Sequence, residues 1–436
     1  MAEQSETENG EGAVVWGSAY PPSINAGIPK LGKLPAGWSR IRMKDMLDVI
    51  ERPVKLVDSK SYQLVTAKRS RGGIVSRGTL RGDEIRVKQQ FEVRSGDFIL
   101  SNRQIAHGGC GIVPPELDGA VVSGEYTVLR PKPMLDLRFL HYLSHSAYFQ
   151  QICFHSGVGV HVEKLVFRLQ DWLNWQIDVP PLGEQQRIAA MLAEFDNAIE
   201  ASQYLITAKQ RKKRFLIGQF FAPSIDLNLP IPPGWSRVRC DKLAKVVGGS
   251  TPDTKEPAYW GGHIPWCTPT DITNLPSRYI STTARSLTQA GVSACSTSIL
   301  PARSIVLCSR ASVGESAINT VPMCTNQGFQ SLVPKQEGDL YYLYYLMQGC
   351  KRLLVRFSAG STFLEFPGRE LAQMPIVIPS SAEREKVGRM FAALDDEIDL
   401  ISARAFALRE QRRGLMQRLL SGDSKHYWRI MEEVAV

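Results

Sequence analysis

The chain has 436 residues, of which 43% are hydrophobic and 22% are charged, and its formal net charge is +9. This length and composition are ordinary for a soluble globular protein of two or three domains. No apolar run approaches the roughly 18 residues of a transmembrane helix, and residues 1–12 lack the basic start and apolar stretch of a signal peptide. We therefore expect a cytoplasmic protein that is not embedded in a membrane.

The excess of positive charge favours an anionic partner. It is concentrated in one segment, since residues 68–103 contain nine Lys and Arg side chains against four acidic ones. The eight cysteines are scattered, and none belongs to a Cys-x-x-Cys pair. They are predicted to be reduced thiols, mostly buried as small apolar residues.

The sequence repeats itself once. Residues 34–42 (Leu-Pro-Ala-Gly-Trp-Ser-Arg-Ile-Arg) reappear as residues 231–239 (Ile-Pro-Pro-Gly-Trp-Ser-Arg-Val-Arg), with six of nine positions identical. Residues 179–200 are echoed by residues 378–399. Each copy spans about 200 residues, which is larger than the repeats of solenoids or propellers. Two similar units on one chain predict two similar tasks.

Each half begins with the Pro-Gly-Trp turn, continues through a stretch rich in β-branched residues, Gly and Pro, and ends in a long helical segment. Runs bounded by turn residues predict strands at residues 97–101, 120–123, 304–308 and 330–333. Shorter helices are predicted over residues 136–153 and 339–357. The body of each half is therefore predicted to be a mixed α/β domain.

The two long segments carry apolar residues at alternating steps of four and three, which is a heptad pattern sustained for about five heptads. A long helix with so narrow an apolar stripe needs a partner, and we expect the two helices to pair with each other rather than with their own domains. Ser202, Lys209 and Lys213 interrupt the first stripe, so looser packing is expected there. The predicted pairing residues are Ile188, Leu192, Phe195, Ile199, Leu216, Val387, Phe391, Leu394, Ile398 and Leu415.

The predicted fold is α+β: two tandem mixed α/β domains, each followed by a long helix, with the helices paired as an antiparallel coiled coil of pseudo-twofold symmetry. The boundaries are a disordered or extended tail at 1–33, domains at 34–178 and 223–377, long helices at 179–222 and 378–422, and a C-terminal tail at 423–436.

The motif Pro-Pro-x-x-Glu-Gln-x-x-Ile that opens the first long helix, at residues 180–188, resembles the conserved region of the DNA-specificity subunits of type I restriction–modification systems. Its duplication after two variable domains is typical of that family. Residues 249–255, 259–266 and 268–272 are similar to a common class of the family's target recognition domains. The second copy departs from the motif because Arg384 replaces the glutamine.

The resemblance implies that each target recognition domain reads one half of a split site in double-stranded DNA, while the helices set the unread spacer. It implies two methyltransferase subunits as partners, which use S-adenosylmethionine to methylate adenine. Two motor-nuclease subunits would add ATP- and Mg²⁺-dependent restriction of foreign DNA. This chain would itself bind no cofactor.

Catalytic motifs are absent from the sequence. There is no P-loop, no Asn/Asp-Pro-Pro-Tyr/Phe motif of amino-methyltransferases and no Gly-x-Ser-x-Gly elbow. His141 and His145 have a spacing seen in some zinc sites, but no third ligand is nearby, so we expect a packing or surface role. The chain is predicted to be a non-catalytic recognition subunit.

Arg103 and Arg310 each lie one residue past the end of a predicted strand, at corresponding places in the two halves. Arginine reads guanine or grips phosphate bidentately, although each of these two residues would serve equally in a structural ion pair. Lys68 to Arg81 suggest a mobile basic loop at DNA, with a solvated surface loop as the alternative. The first-half DNA-contact candidates are Lys68, Arg69, Arg71, Arg77, Arg81, Arg103, Ser156, Gly157 and His161. The second-half candidates are Lys255, Thr268, Thr270, Asp271, Arg278, Arg310, Ser312, Ser358, Ser361 and Thr362.

Two further segments leave alternatives open. Trp260 and Trp266 are predicted to be core residues, with base stacking as the alternative. The basic run at residues 209–214 is predicted to be a solvated helix end, favoured by the helix dipole, or a contact to phosphates of the spacer, and a nuclear signal is the least favoured alternative.

Two other classes of function compete with DNA recognition. A self-sufficient DNA-modifying enzyme with an unrecognised site would show cofactor binding or DNA cleavage by the isolated chain. A scaffold that does not read bases would keep its DNA affinity when one variable domain is exchanged.

Overall fold

The computed structural model describes residues 28–159, 165–226, 228–273, 275–358 and 365–422. These residues form two compact units, divided between Ala201 and Ser202 and again between Arg404 and Ala405. Most of the predicted N-terminal tail and all of the C-terminal tail lie outside the described ranges. Within those ranges, no helix is long and apolar enough to cross a membrane.

The first unit contains the globular part of the first half of the chain. Its strands are β1 (Ser39–Arg42), β2 (Leu47–Val49), β3 (Pro53–Val54), β4 (Ser61–Ala67), β5 (Ile74–Arg81), β6 (Gln90–Glu92), β7 (Phe98–Ser101), β8 (Cys110–Ile112), β9 (Val121–Ser123), β10 (Tyr126–Pro131), β11 (Gly157–Val158), β12 (Val166–Phe167) and β13 (Gln176–Val179). Its helices are α1 (Met43–Met46), α2 (Leu137–Leu143), α3 (Ala147–His155) and α4 (Leu169–Leu173), followed by the first part of α5 (Leu182–Phe220).

Two sheets make up most of this unit. One has the strand order β2-β10-β7-β8 and the other has the order β3-β6-β9-β4-β5. The first sheet packs against α2, α3 and α4 through a core that includes Phe98, Phe139, Phe149 and Trp172, all essentially inaccessible to solvent. Strand β5 lies at an edge of the second sheet, where nearly all its side chains are exposed.

The second unit contains the remainder of the chain between residues 202 and 404. Its strands are β14 (Ser236–Arg239), β15 (Ala244–Gly248), β16 (Trp260–Cys267), β17 (Tyr279–Ile280), β18 (Arg285–Leu287), β19 (Ile305–Leu307), β20 (Ser316–Asn319), β21 (Cys324–Thr325), β22 (Gln330–Pro334) and β23 (Pro375–Ile378). Its helices are the end of α5, then α6 (Ala222–Ile225), α7 (Pro269–Thr273), α8 (Gln289–Ser293), α9 (Leu340–Gly349), α10 (Lys351–Ser358), α11 (Gly368–Gln373) and the first part of α12 (Ser381–Leu420).

The second unit repeats the strand order of the first. Its larger sheet runs β15-β22-β19-β20-β17, and its first four strands correspond to β2-β10-β7-β8. Its smaller sheet, β18-β16-β21, corresponds to β5-β4-β9, and the middle strand pairs in parallel with the last strand in both cases. The first unit adds β6 and β3, whereas the second adds β17. The duplication seen in the sequence is therefore a duplication of topology.

Each unit is closed by one short pair of strands. β1 pairs antiparallel with β13, and β14 pairs antiparallel with β23. The Pro-Gly-Trp turn precedes β1 and β14, and its glycines, Gly37 and Gly234, have φ values of +85° and +79°. This left-handed conformation favours glycine, which explains why the turn is repeated with its Gly intact. The strand pair holds the start of each domain beside the strand that leads into a long helix.

The two shorter helices predicted in the bodies are each divided in two. In the first unit, α2 ends at Leu143, and Ser146 begins α3 by accepting a hydrogen bond from the backbone N–H of Phe149 at 3.1 Å. In the second unit, α9 ends at Gly349 and α10 begins at Lys351. Serine caps compete with helix continuation, so the predicted 136–153 helix was wrong in its continuity.

The long helices have the predicted extent, and each unit contains one end of both. In the first unit, Asp196 on α5 is 2.7 Å from Arg412 on α12. In the second, Lys209 and Lys213 on α5 are 2.7 and 2.6 Å from Glu397 and Asp395 on α12. As residue numbers rise along α5 they fall along α12, which confirms the antiparallel pairing.

All ten predicted pairing residues are buried or half-buried, as a seam would require, and their individual assignment to the seam stays a prediction. Ile188 and Leu192 are fully buried in the first unit, and Phe391 is fully buried in the second. Lys209 and Lys213, which with Ser202 interrupt the first stripe, each form an ion pair with the facing helix, and the looser packing expected at these three positions stays a prediction.

The cysteines behave as predicted. All eight are free, and all but the half-buried Cys295 are buried. Burial raises the pKa of the Cys110 thiol to about 11, so it stays protonated and packs as a small apolar side chain.

Candidate nucleic-acid interface

In the first unit, two loops bring the basic candidates together. The turn at residues 68–73 joins β4 to β5, and the loop at residues 102–109 follows β7. The Nε–H of Arg69 donates to Oε1 of Gln104 at 2.5 Å, and the backbone N–H of Arg71 donates to the carbonyl oxygen of Gly108 at 3.1 Å. Lys68, Arg69 and Arg103 therefore lie on adjoining loops, and the basic loop is anchored rather than free.

The basic side chains of these loops differ in how exposed they are and in how firmly they are bonded to the protein. The Arg103 side chain is 73% exposed and lies 2.5 Å from the exposed Glu125. An exposed ion pair of this kind contributes at most about 1 kcal/mol, so phosphate or a base edge would readily replace the carboxylate. Arg71 is half-buried and donates to Oε1 of Gln150 at 2.6 Å, which ties it to α3.

Edge strand β5 carries two more candidates, Arg77 and Arg81. In the β4–β5 register, Val65 faces Ser76 and Leu64 faces Gly78, so Arg77 is an extra residue in a β-bulge. Bulges bend a strand and redirect a side chain. Arg81 lies 3.3 Å from Asp83, and both are exposed.

The remaining first-unit candidates are of a different kind. Ser156 is 1% exposed, donates to the carbonyl oxygen of Ile152 at 2.7 Å and accepts from Nε1 of Trp175 at 3.0 Å. Gly157 begins β11, where an added Cβ would come within 3.3 Å of Leu165. His161 lies outside the described residues.

In the second unit, the turn that leads from β16 into α7, at residues 268–271, holds three candidates. Oδ2 of Asp271 accepts from the backbone N–H of Thr268 at 2.8 Å and from its hydroxyl at 2.6 Å. Oδ1 of Asp271 accepts from the backbone N–H of Ala284 at 2.9 Å. Asp271 therefore fixes this turn to the segment that leads into β18, while Thr270 beside it is exposed.

The loop after β19 adjoins the same turn. The backbone N–H of Ser309 donates to the carbonyl oxygen of Gly328 at 2.8 Å. A Cβ on Gly328 would lie 3.4 Å from Nε of Arg310 and 3.3 Å from Cγ of Pro269. Arg310 and the turn at residues 268–271 thus border one glycine.

Two other second-unit candidates, Ser312 and Lys255, lie in loops, and three more have side chains outside the described part of the chain. Ser312 is half-buried in the Arg310 loop, and Lys255 is exposed in the loop before β16. Ser358 ends α10 and its side chain is outside the described part, as are Ser361 and Thr362.

Arg278 lies apart from the other candidates. It is 6% exposed and donates a hydrogen bond to Asp396 on α12. Burial acts to lower its pKa, but the bond to Asp396 and the neighbouring Tyr279 hold the pKa above its usual value. The residue therefore connects the body of the second unit to its long helix.

Trp260 and Trp266 pack against each other with ring centroids 4.9 Å apart and nearly perpendicular planes. Trp266 is 4% exposed, as expected of a core residue, whereas Trp260 is half-buried. The guanidinium of Arg285, on β18, lies 3.5 Å from the centroid of the Trp260 ring. The sequence did not single out Arg285, because its pairing with these rings depends on the register of two strands.

A metal role for the histidine pair finds no support. The rings of His141 and His145 are 4.5 Å apart, and burial lowers the pKa of both. In the ranges that the structure describes, no three His, Cys, Asp or Glu residues are grouped so that they would hold a metal ion.

Comparison with known proteins gives a consistent family. The model of the type I restriction modification DNA specificity domain matches twice, at residues 35–210 and 232–408. The MjaIX specificity subunit of Methanocaldococcus jannaschii, a type I restriction enzyme subunit, is 41% identical over 39% of this chain and 40% of its own length. The MjaX specificity subunit of the same organism is 20% identical over 90% of this chain and 95% of its own length.

Solved structures share the fold. A chain from a study of complex assembly and conformational transition of the type I R-M system has a TM-score of 0.60 at 20% identity, covering 90% of this chain and all of that one. The type I S subunit from M. genitalium has a TM-score of 0.54 at 14% identity, with coverage of 90% and 98%. The chain belongs to the family of type I restriction–modification DNA specificity subunits, the non-catalytic recognition components of those systems.

Proposed function

We propose that each unit reads one half of a bipartite site in double-stranded DNA. The observation that carries this proposal is the recurrence of one arrangement. The loops after the equivalent strands β7 and β19 each lie beside a loop or turn that follows β4 or β16 in the other sheet of the same unit. The first-unit segments present Lys68, Arg69 and Arg103, and the second-unit segments present Arg310. Half-site reading requires this kind of duplication, since each half of the DNA needs its own set of base contacts.

We define two reading surfaces from the geometry. The first reading surface consists of Lys68, Arg69, Arg77, Arg81 and Arg103. The second reading surface consists of Lys255, Thr268, Thr270, Arg310 and Ser312.

We leave five of the residues predicted from the sequence to contact DNA out of these surfaces because their groups have structural contacts. Ser156 and Arg278 are buried, Asp271 fixes a turn, Arg71 is bonded to α3, and Gly157 lies in a strand. His161, Ser358, Ser361 and Thr362 stay predictions, since their side chains lie outside the described part of the chain.

The proposal extends to the partners. The relatives are named as subunits of type I restriction enzymes, and one structural neighbour comes from work on assembly of such a system. We infer that this chain recruits two methyltransferase subunits, which bind S-adenosylmethionine, and two motor-nuclease subunits, which use ATP and Mg²⁺. The outcome would be methylation of adenine in both half-sites and restriction of foreign DNA in the cytoplasm.

The long helices are proposed to set the length of unread DNA between the half-sites. The support is the heptad pattern of both helices, which lets whole heptads be added without changing which residues face each other. Inserting seven residues into both helices is expected to change the spacer and keep the half-sites. Retention of the original spacer would contradict this role.

The experiment that tests the function is single-molecule methylome sequencing of DNA from cells that express this chain with a type I methyltransferase subunit. A split motif with methyladenine in each half, lost when the chain is deleted, is expected. Methylation without site preference, or methylation that does not depend on the chain, would overturn the proposal.

A further inference from the structure

Arg285 is held in an unusual setting for a surface cation. It lies on β18, the edge strand of the smaller sheet of the second unit, directly opposite Trp266 in the strand register. Its guanidinium lies 3.5 Å from the ring centroid of Trp260 and 5.4 Å from that of Trp266. The two rings meet edge to face, so the cation lies against an aromatic corner.

The stack leaves the hydrogen-bonding edge of Arg285 free. The side chain is exposed, and its guanidinium has no hydrogen bond or ion pair with any residue that the structure describes. Its N–H donors point outward in the plane of the guanidinium, and stacking on an aromatic face does not use them. Arg103 and Arg81, by contrast, are matched with carboxylates at the surface.

The aromatic corner is itself fixed. Nε1 of Trp260 donates to the carbonyl oxygen of Asp253 at 3.0 Å, and Nε1 of Trp266 donates to that of Ser250 at 3.1 Å. Both indole N–H groups are therefore bonded to the loop that carries Lys255. A rigid platform limits the rotamers of Arg285 before any ligand arrives, which reduces the entropy lost on binding.

The position of Arg285 also places it beside the second reading surface. The backbone N–H of Ala284, the residue before it, donates to Asp271, which holds Thr268. The backbone N–H of Trp266 donates to the Thr283 hydroxyl at 3.1 Å. The corresponding edge strand of the first unit, β5, carries Arg77 and Arg81 of the first reading surface.

We propose that Arg285 reads a guanine in the half-site recognised by the second unit, with Trp260 as its positioning residue. An oriented guanidinium with a free edge matches the O6 and N7 acceptors of guanine in the major groove. A lysine ammonium lacks the planar fork that stacks on Trp260, so it would hold the same acceptors less rigidly. This inference rests on the proposed function, because it assumes that the second unit reads DNA.

The test uses the full chain assembled with its methyltransferase subunits. Initial methylation rates are measured on the cognate site and on sites with a single substitution in each half. Arg285→Ala is expected to lower discrimination at one guanine of one half-site by about ten- to a hundred-fold and to leave the other half-site unchanged. Arg285→Lys is expected to lose most of that discrimination although it keeps the charge.

Two further variants separate positioning from charge. Trp260→Phe keeps an aromatic face and is expected to retain more discrimination than Trp260→Ala. Arg369→Ala is the matched control, because it removes an exposed arginine of the same unit from α11, which packs against the other sheet. Melting temperatures confirm that each variant is folded before its rates are compared.

The outcomes distinguish guanine reading by Arg285 from the proposed function on which it rests. If the wild-type complex has no site preference, the proposed function fails. If the wild type is specific but Arg285→Ala matches Arg369→Ala, only the inference fails. An equal loss on every sequence, with a salt dependence reduced by about one phosphate contact, would also overturn base reading.

Discussion

The two units anchor a long helix to the body of a domain at equivalent positions, but they use different chemistry. In the first unit, Gln185 is 1% exposed and its amide donates to the carbonyl oxygens of Met134 and Pro180, both at 2.9 Å. Its Oε1 accepts from the backbone N–H of Asp136 at 2.8 Å. A neutral amide thus satisfies the buried polar groups at the start of α5.

In the second unit, Arg384 replaces this glutamine and is 7% exposed. It donates to the Pro379 carbonyl oxygen at 2.9 Å, as Gln185 does to that of Pro180, and forms two bonds of 2.7 and 3.1 Å to the carboxylate of Asp339. Asp339 corresponds to Asp136, which instead caps α2. The charge that Arg384 brings in place of the family's glutamine is therefore balanced by the buried Asp339. The side chain at this position still joins the start of a long helix to the body of its domain.

A second shared feature joins the body to both long helices. In the first unit, the Tyr142 hydroxyl donates to Asp196 at 2.8 Å, and Asp196 also pairs with Arg412. In the second, the Tyr345 hydroxyl donates to Asp395 at 2.6 Å, and Asp395 pairs with Lys213. These cations occupy seam positions, where a single polar contact can fix helix register.

The largest expected effect comes from breaking the buried ion pair. Asp339→Ala leaves Arg384 charged, buried and unpaired, which is expected to cost about 3–5 kcal/mol. Asp136→Ala removes only a helix cap and is expected to cost about 1 kcal/mol. Hydrogen exchange of peptides from each unit measures the two losses separately. Equal losses would show that the starts of both long helices depend on the same interaction.

The next effect concerns recognition. Arg103→Ala and Arg310→Ala are each expected to weaken recognition of one half-site by about 1–3 kcal/mol if they contact bases. Because Arg103 must first leave Glu125, we expect the smaller loss for Arg103. Methylation rates on DNA with substitutions in either half measure both effects. Loss at both half-sites from one variant would argue against one unit per half-site.

The sequence predicted those features that depend on local spacing. Heptad spacing identified the two long helices and their pairing, and the repeated turn identified the duplicated topology. Features that depend on distant pairing were missed. Arg278 looked available in the sequence, yet its partner Asp396 is 118 positions away. Arg285 carried no signal, because only the register of β16 and β18 brings it to Trp260.

A third effect tests how the packing around the long helices differs between the two units. Phe391 and Leu192 are equivalent, and Phe391 packs among aromatic rings, with Phe221 5.9 Å away and Tyr345 5.3 Å away. Phe391→Leu leaves a void and is expected to cost about 1–2 kcal/mol. The reverse exchange, Leu192→Phe, overpacks the first unit at a similar cost of about 1–3 kcal/mol. Hydrogen exchange checks both, and a neutral exchange in either unit would contradict the difference in packing.

The smallest effect is a pH dependence confined to the first unit. His141 and His145 correspond to Tyr344 and Gln348 of the second unit. Burial lowers the pKa of His145, and His141, Arg71 and Arg412 lower it further. Burial also lowers the pKa of His141, and the negative charge of Asp196 partly offsets this lowering.

The sign of this pH dependence follows from which state binds the proton. The unfolded chain takes up protons below about pH 6.5 and the folded unit does not, so stability is present above that pH and is lost as the pH falls. His145, whose pKa is held well below its usual value, is expected to contribute a loss of about 0.7 kcal/mol between about pH 7 and pH 6, and His141 a smaller loss. His145→Gln, which installs the residue of the second unit, should reduce this loss in exchange measurements at the two pH values. A loss unchanged by the substitution would assign the pH dependence to other groups.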